Sequence, residues 1–275
     1  MEDKKNILVT GGAGYIGSHT VLALLQHGFN PVIVDDFRNA DSSVIERLKE
    51  ISGTNIQFSA VDCCDINVLR KIFEQQSIYG IIHFAAYKAV GESVEKPLMY
   101  YQNNLVSLMN VLQLAAEKNV KNIVFSSSCT VYGEPEDTSE VDENTPLQIP
   151  SSPYGQTKFM SEQILKDFQL ANSSHKIFAL RYFNPVGAHS SAIIGEFPIG
   201  IPNNLVPFIT QTAAGIQEQL TVFGNDYPTE DGTCIRDFIH VEDLGDAHVA
   251  AITKAIASEG FFDAVNLGTG KGTSV

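Results

Sequence analysis

The sequence has only four cysteines among its 275 residues, and no apolar run approaches the roughly 20 residues that a membrane-spanning helix needs. The cysteines, Cys63, Cys64, Cys129 and Cys234, have neither the spacing of metal ligands nor the density of a disulfide framework. The first residues lead straight into a strand pattern, without a secretory apolar region or an Arg-rich transit helix. We therefore expect a cytoplasmic protein with reduced thiols, no bound metal and no membrane partner.

Positive charge is also scarce, since 18 Lys and Arg residues stand against 32 Asp and Glu residues, a formal net charge of −14. Nucleic-acid binding normally needs a basic face, so we expect no nucleic-acid partner. An acidic protein can still bind an anionic small molecule when it supplies local donors, such as amides at a helix N-terminus and a few placed arginines.

Apolar, β-rich runs alternate with helical patterns in the part of the chain before Arg181. The predicted strands are Asn6–Thr10, Pro31–Val34, Ile56–Val61, Ile78–His83, Asn122–Ser127 and Lys176–Leu180. The predicted helices are Tyr15–His27, Val68–Gln75, Leu98–Lys118 and Tyr154–Ala171, and a polar amphipathic stretch lies at Ser42–Ile51. Strands without strict alternation, separated by helices, indicate a parallel sheet covered on both faces. The predicted fold class is α/β, with a doubly wound (Rossmann) parallel sheet over residues 1–183.

The pattern changes after Arg181. A stretch rich in Gly, Pro, Ala and Ser, Asn184–Pro202, predicts a long functional loop. Further on, the pattern predicts helices at Leu205–Ala214 and Val241–Ala257 and short strands at Leu220–Phe223 and Ala264–Leu267. We assign residues 184–275 to a smaller α/β domain that binds substrate, with some segments returning to the Rossmann domain. Thr273–Val275 follows a glycine-rich turn and predicts the cap of a helix, so we expect the C-terminal part of this domain to be missing.

A glycine-rich segment, Gly11-Gly12-Ala13-Gly14-Tyr15-Ile16-Gly17, follows the first strand and opens the first helix. In a dinucleotide-binding loop the first glycine makes the tight turn, the second admits a pyrophosphate and the third packs helix against sheet. The amides of the helix N-terminus then face the phosphates. A lone glycine triplet can also be a simple turn. Its interpretation as a dinucleotide-binding loop therefore rests on its position between a strand and a helix.

Two acidic residues follow later strands. Asp35, at the end of the second strand, is placed to accept hydrogen bonds from an adenosine ribose diol and to repel a 2′-phosphate, which favours NAD over NADP. The neighbouring Arg38 weakens that preference, and a helix cap or turn is the alternative role for Asp35. Asp62 ends the third strand, where it is in reach of an adenine edge.

Tyr154 and Lys158 are four residues apart and lie on one face of a predicted helix. A free tyrosine has a pKa of about 10, too high for a base at neutral pH, and a lysine cation one turn away favours the phenolate. The pair can thus relay a proton. Ser126, Ser127 and Ser128 end a strand predicted to be adjacent, where a hydroxyl can hold a substrate oxygen or simply cap a helix.

The chain resembles the UDP-glucose 4-epimerase family, within the extended short-chain dehydrogenase/reductase superfamily, over essentially all its residues. The segments that carry the resemblance are Phe84–Val94, Ser126–Gly133, Arg181–Pro185, Ile201–Leu205 and Phe223–Arg236. The resemblance implies reversible epimerisation of UDP-galactose and UDP-glucose at carbon 4, through a 4-keto intermediate and with tightly bound NAD. It also implies a homodimer, with a four-helix interface of the Leu98–Lys118 and Tyr154–Ala171 helices; packing of these helices on their own sheet is the alternative.

The resemblance assigns roles to residues that match the family's motifs. Tyr154 is the acid and base, Lys158 tunes it and Ser128 assists. The cofactor-binding residues are Gly11, Gly14, Tyr15, Ile16, Gly17, Asp35, Asn39, Asp62, Cys63, Phe84, Ala85, Lys88, Asn103, Ser126, Tyr154, Lys158 and Tyr182. The substrate-binding residues are Lys88, Ser128, Tyr154, Asn184, Asn204, Leu205, Phe223 and Arg236. Arg236 also suits a diphosphate physically, because its planar guanidinium can bond two oxygens.

The sequence departs from the family at Ala86-Tyr87, where Gly-Leu is common, and we expect Tyr87 to change the packing beside the nicotinamide. A 4,6-dehydratase would have an Asp-Glu pair before Val131-Tyr132-Gly133, but Cys129-Thr130 stand there and are not ready proton donors. The sequence leaves three alternatives open: an epimerase of UDP-glucuronate, an epimerase of UDP-N-acetylhexosamines and a non-catalytic NAD-binding regulator.

Overall fold

The computed structural model describes residues 4–135, 140–222 and 224–275. The strands are β1 (Asn6–Thr10), β2 (Asn30–Asp35), β3 (Gln57–Ala60), β4 (Ile78–His83), β5 (Asn122–Ser128), β6 (Lys176–Tyr182), β7 (Asn184–Val186), β8 (Ile235–His240), β9 (Phe261–Leu267) and β10 (Gly272–Ser274). The helices are α1 (Tyr15–Gln26), α2 (Val44–Ser52), α3 (Ile66–Gln75), α4 (Val90–Glu95), α5 (Pro97–Glu117), α6 (Pro153–Ala171), α7 (Leu205–Ala213) and α8 (Val241–Ile256), with a short 3-10 helix at Cys129–Tyr132.

Seven strands form one sheet in the order β3-β2-β1-β4-β5-β6-β9, and every neighbouring pair is parallel. The chain winds outward from β1 in one direction through β2 and β3, and in the other through β4, β5 and β6. The order therefore reverses between β1 and β4, and in sheets of this kind the crevice for a ligand lies at the carboxyl ends of these two strands. The predicted doubly wound fold class is confirmed.

The two faces of the sheet are covered by different helices, each with its own apolar core. On one face, α1 and α8 bury side chains such as Leu24 and Ile252 against β1 and β4. On the other, α3, α5 and α6 bury side chains such as Leu69, Leu108 and Leu165. Because both faces are covered by helices, inner strands such as β1 and β5 consist almost entirely of buried residues.

A smaller sheet has the order β10-β8-β7, with β8 parallel to β7 and antiparallel to β10. Its last strand corrects one prediction, because Gly272–Ser274 pairs with β8 where we expected the cap of a helix. The predicted strand at Leu220–Phe223 is also wrong for residues 220–222, which have no regular structure, while Phe223 lies outside the described residues. The sequence pattern missed β8, because Arg236, Asp237 and His240 interrupt its apolar residues.

After β8 of the small sheet, the chain returns to the large sheet. β9 pairs with β6 along its whole length, and α8 packs against α1. None of the helices in the described ranges is long and apolar enough to cross a membrane.

Candidate active site

The glycine loop joins β1 to α1 at the point where the strand order reverses. Gly11 has a φ of +69°, and a Cβ on it would lie 2.8 Å from the backbone nitrogen of Ala85. A Cβ on Gly17 would lie 2.2 Å from the carbonyl oxygen of Gly11. These two glycines are thus required by the turn and by close backbone packing, as predicted.

Gly14 differs from these two glycines, because its φ is −70° and a Cβ there would meet only the Gly11 oxygen, at 3.2 Å. It is the N-cap of α1 and provides no side chain to cap the helix, so the first amides of α1, at Tyr15 and Ile16, point into the crevice mouth uncapped. Tyr15 is tied across the crevice, since its hydroxyl donates to the Gly187 carbonyl at 2.7 Å. This arrangement suits a pyrophosphate.

Asp35 ends β2 beside this loop. One carboxylate oxygen accepts from the Ala13 amide at 3.0 Å and the other from the Phe37 amide at 2.9 Å. Burial raises the pKa of Asp35, and hydrogen bonds from the backbone amides of Phe37, Ala13 and Gly14 oppose that rise. The carboxylate is therefore fixed beside the glycine loop, and its remaining lone pairs suit the predicted role of accepting from a ribose diol.

The remaining predicted adenosine contacts lie on neighbouring strand ends. Asn39 is exposed in the segment that follows β2, and Cys63 is buried behind β3, where burial raises the pKa of its thiol. Asp62 accepts from the Cys64 amide at 2.8 Å and also binds Arg38. Tyr87 points to this end of the crevice, because its hydroxyl accepts from Arg38 at 2.9 Å.

The serine run, Tyr154 and Lys158 meet at the carboxyl end of β5. Lys158 is 4% exposed, and its Nζ donates to the Ser126 carbonyl at 2.5 Å. The same Nζ lies 4.8 Å from the centre of the Phe125 ring and 5.9 Å from that of Tyr154. Tyr154 as a whole is half-buried, and desolvation dominates the environment of its phenol.

The electrostatics of the pair differ from the expectation based on spacing alone. Burial raises the pKa of Tyr154 to about 12, and the hydrogen bond with the Ser128 hydroxyl only partly opposes it. Burial also lowers the pKa of Lys158 to about 7, against the charge of Glu162. Without a ligand, therefore, Tyr154 holds its proton at neutral pH. A further positive charge in the crevice would favour the phenolate.

A buried ion pair that the sequence pattern missed lies behind Lys158. Arg181 donates to both carboxylate oxygens of Glu162, at 2.9 and 2.6 Å, and both residues are 5% exposed. Arg181 also donates to the Tyr132 hydroxyl at 3.0 Å, which in turn donates to Asn266 at 2.7 Å. The network links α6, β6, the 3-10 helix and β9. Because Glu162 is one turn beyond Lys158, the network fixes the helix that carries the catalytic pair.

The nicotinamide end of the crevice is aromatic on one side. Phe84 follows β4, and its ring lies 4.7 Å from that of the buried His248. Tyr182 is 7% exposed and donates from its hydroxyl to the Ser126 hydroxyl. Ala85 lies against Gly11, and Asn103 donates to Asn104 at 3.0 Å.

The predicted substrate residues converge from the opposite side. Lys88 pairs with Glu196 at 3.2 Å, and the same carboxylate oxygen accepts from the Asn204 amide. Asn204 is the N-cap of α7, whose first residue is Leu205, yet its side chain does not cap that helix. Glu196 was not predicted, because it lies in an irregular loop 108 residues from Lys88.

Two more predicted substrate residues lie on the small sheet. Asn184 donates to the Asp237 carbonyl at 3.0 Å. Arg236 is exposed on β8, and its charge reaches the Cys129 thiol beside Ser128. Phe223 lies outside the described residues. Among the residues that are described, no group of three or more metal-ligating side chains comes together.

A glycine loop at the reversal of a doubly wound sheet, with a fixed acid after β2 and a Ser-Tyr-Lys set after β5, defines an extended short-chain dehydrogenase/reductase. The chain belongs to the NAD dependent epimerase/dehydratase family, whose pattern it matches over residues 7–268.

Curated relatives are similar over nearly the whole chain. The UDP-glucose 4-epimerase of Bacillus subtilis is 52% identical over 269 residues, which are 98% of this chain and 78% of the relative. UDP-glucose 4-epimerase 2 of Arabidopsis thaliana is 50% identical over 274 residues, with the same coverage. Among solved structures, the UDP-glucose 4-epimerase from Bifidobacterium longum, in complex with NAD+ and UDP, superposes with a TM-score of 0.94 at 44% identity, covering 98% of this chain and 80% of that one.

Proposed function

We propose that the protein interconverts UDP-galactose and UDP-glucose by epimerisation at carbon 4, with NAD as a retained cofactor, in galactose metabolism. The observation that carries the proposal is the meeting of Ser128, Tyr154 and Lys158 at the carboxyl end of β5, beside the β1–β4 crevice. The relatives named above, at 50–52% identity, support the choice of sugar nucleotide.

The crevice residues fit the dinucleotide. The uncapped amides of Tyr15 and Ile16 at the start of α1 would hold its pyrophosphate, and Asp35 its adenosine ribose. A negative Asp35 repels a 2′-phosphate, which favours NAD over NADP. When bound, NAD supplies the redox half of the reaction, oxidising carbon 4 and then reducing it.

The chain's own residues move the proton. Tyr154 accepts the proton of the carbon-4 hydroxyl as a 4-keto sugar forms, and returns it when the opposite epimer is made. Ser128 holds the substrate oxygen from the other side, and Lys158 supplies positive charge behind the phenol. Lys88, Asn184, Asn204, Leu205, Phe223 and Arg236 hold the UDP-sugar. The proton leaves and returns once in each turnover, and because bound NAD would take up and give back the same two electrons, there would be no net redox change.

Dehydration does not fit the same site. Elimination of water needs an acid and a base beyond Tyr154. A dehydratase would have its Asp-Glu pair directly before Val131, but Cys129 and Thr130 lie there. Burial raises the pKa of the Cys129 thiol to about 11. The thiol keeps its proton too tightly to give it up near neutral pH.

Supplying UDP-galactose without added cofactor tests the proposal. We expect UDP-glucose to form, with no NADH released, whereas a dehydrogenase would release NADH in proportion to product. Parallel incubations with UDP-glucuronate and UDP-N-acetylhexosamines test the alternative substrates. A chain that retains NAD but converts none of these sugars would be the non-catalytic regulator.

We further propose that residues 1–183 bind NAD and that residues 184–275 bind the UDP-sugar, with β9 and α8 serving the first unit. We also propose a cytoplasmic homodimer formed by α5 and α6. The outer faces of these helices carry exposed apolar side chains, including Leu98 (80% exposed) and Leu170 (69% exposed). Sedimentation of the wild type and of a Leu98→Glu variant tests the dimer.

A further inference from the structure

Arg38 connects the ends of three strands of the large sheet, β3, β2 and β4. Its guanidinium binds Asp36 at 2.6 Å, beside the end of β2, and Asp62, beyond the end of β3. It also donates to the Tyr87 hydroxyl at 2.9 Å, in the segment after β4. Asp35 and Asp62, two of the proposed adenosine contacts, lie on the same strand ends. The side chain therefore spans the adenosine end of the crevice.

Tyr87 is a rigid partner for this arginine. Its amide donates to the Asn104 side chain at 2.8 Å, and the Asn104 amide donates back to the Tyr87 carbonyl at 3.0 Å. Its ring packs against that of Tyr100, with centres 5.5 Å apart. The guanidinium carbon lies 5.9 Å from the Tyr87 ring centre. Tyr87 thus holds its hydroxyl against Arg38, near the ends of β2 and β3.

The charges around Arg38 decide what it can bind. Two carboxylates already occupy its guanidinium, and an occupied guanidinium has little left to offer a 2′-phosphate. Its planar face remains suited to lie on an aromatic base, which guanidinium groups do readily. The group is half exposed, so each contact by itself is weak, and its effect depends on three contacts acting together.

We propose that Arg38, held by Asp62 and Tyr87, closes over the adenosine half of the dinucleotide and sets how slowly the cofactor leaves. This inference rests on the proposed function, because it concerns the same cofactor site. In this proposal Arg38 and Tyr87 retain the cofactor and take no part in the proton transfer at Tyr154. An open adenosine end would release the cofactor faster without altering the chemical step.

The rate of cofactor release tests the proposal directly. Each protein is loaded with NADH, excess NAD+ is added, and the loss of the bound NADH fluorescence is followed in time. We expect release to be about tenfold faster for Arg38→Ala and about threefold faster for Tyr87→Phe, which removes only the hydroxyl.

Arg70→Ala is the matched control, because Arg70 also binds a carboxylate at the surface, that of Glu117, but lies on α3 away from the crevice. Release at the wild-type rate from folded Arg38→Ala and Tyr87→Phe proteins would overturn the proposal, and so would slower release. Wild-type protein that does not bind NADH at all would instead overturn the proposed function, so the two failures can be told apart.

Discussion

The ammonium group of Lys158 lies 5.9 Å from the centre of the Tyr154 ring but donates its hydrogen bond to the Ser126 carbonyl. The lysine therefore acts on the phenol through its charge, across a short gap, and its position is fixed by β5. Burial disfavours the charged forms of both Tyr154 and Lys158. The pair is therefore ready for proton transfer only when a ligand adds charge or hydrogen bonds to the crevice.

Replacing Tyr154 with phenylalanine removes one oxygen from this pair. We expect conversion of UDP-galactose to fall by at least about 100-fold, because proton transfer loses its acid and base. NAD content, measured after denaturation of the purified protein, should stay at the wild-type level. Tyr227→Phe is the control, since that tyrosine is half exposed on a loop. Near-wild-type turnover by Tyr154→Phe would remove Tyr154 from the mechanism.

Replacing Lys158 with methionine should stabilise the protein without cofactor while abolishing turnover. The pKa of Lys158 is about 7 in the fold and 10.5 when the chain is unfolded, so the unfolded state binds more protons between these values. The folded wild type therefore gains stability as pH rises from about 7 to 10.5, and the full penalty applies below 7. At pH 7 we expect the variant to be more stable by on the order of 2–4 kcal/mol.

Urea unfolding at pH 7 and pH 9 measures this difference. The stability gap between Lys158→Met and the wild type should narrow at pH 9, whereas the exposed Lys254→Met variant should show no such change. A gap that is constant with pH would mean that Lys158 keeps its ordinary pKa in the fold.

The third glycine of the loop should be the least tolerant of a methyl group. A Cβ on Gly17 meets the Gly11 oxygen at 2.2 Å, so Gly17→Ala must push α1 away from the strand. We expect a loss of stability of about 2–4 kcal/mol and loss of NADH binding. Gly91→Ala, where a Cβ meets nothing within 4 Å, should stay within about 0.5 kcal/mol. Equal thermal shifts for the two variants would contradict this account.

Glu196 occupies two groups that we assign to the UDP-sugar, Lys88 and Asn204. A diphosphate must replace that carboxylate, so Glu196→Gln should bind UDP about two- to fivefold more tightly in calorimetry. NADH affinity should be unchanged. If UDP bound more weakly instead, the carboxylate would be organising the two groups for the ligand rather than competing with it.

The parts of the fold that the sequence predicted well are those with a local cause. β1 and β4 are buried on both faces, so each apolar run in the sequence begins and ends where its strand does. Gly11 and Gly17 were identifiable because each sits at a place where a Cβ clashes with backbone. By contrast, β8 is half exposed and carries charges, so its pattern resembled a loop.

The sequence predicted the positions of the site residues better than it predicted their pKa values and charge partners. The four-residue spacing placed the Lys158 charge near Tyr154, but spacing contains no information about burial, which dominates both pKa values. Glu196 and the Glu162–Arg181 pair depend on contacts between distant segments, which no local pattern encodes. The sequence identified Tyr87 as a departure from the family's usual residue. Its hydrogen bond with Arg38 is evident only in the structure.

The return of β9 to the edge of β6 has a consequence during synthesis. Until residue 267 has emerged from the ribosome, β6 is an edge strand, although six of its seven residues are of the fully buried kind. Unpaired apolar edges are sites of aggregation. The nascent chain therefore exposes this edge of the sheet while about 85 further residues, from the end of β6 to Leu267, are synthesised.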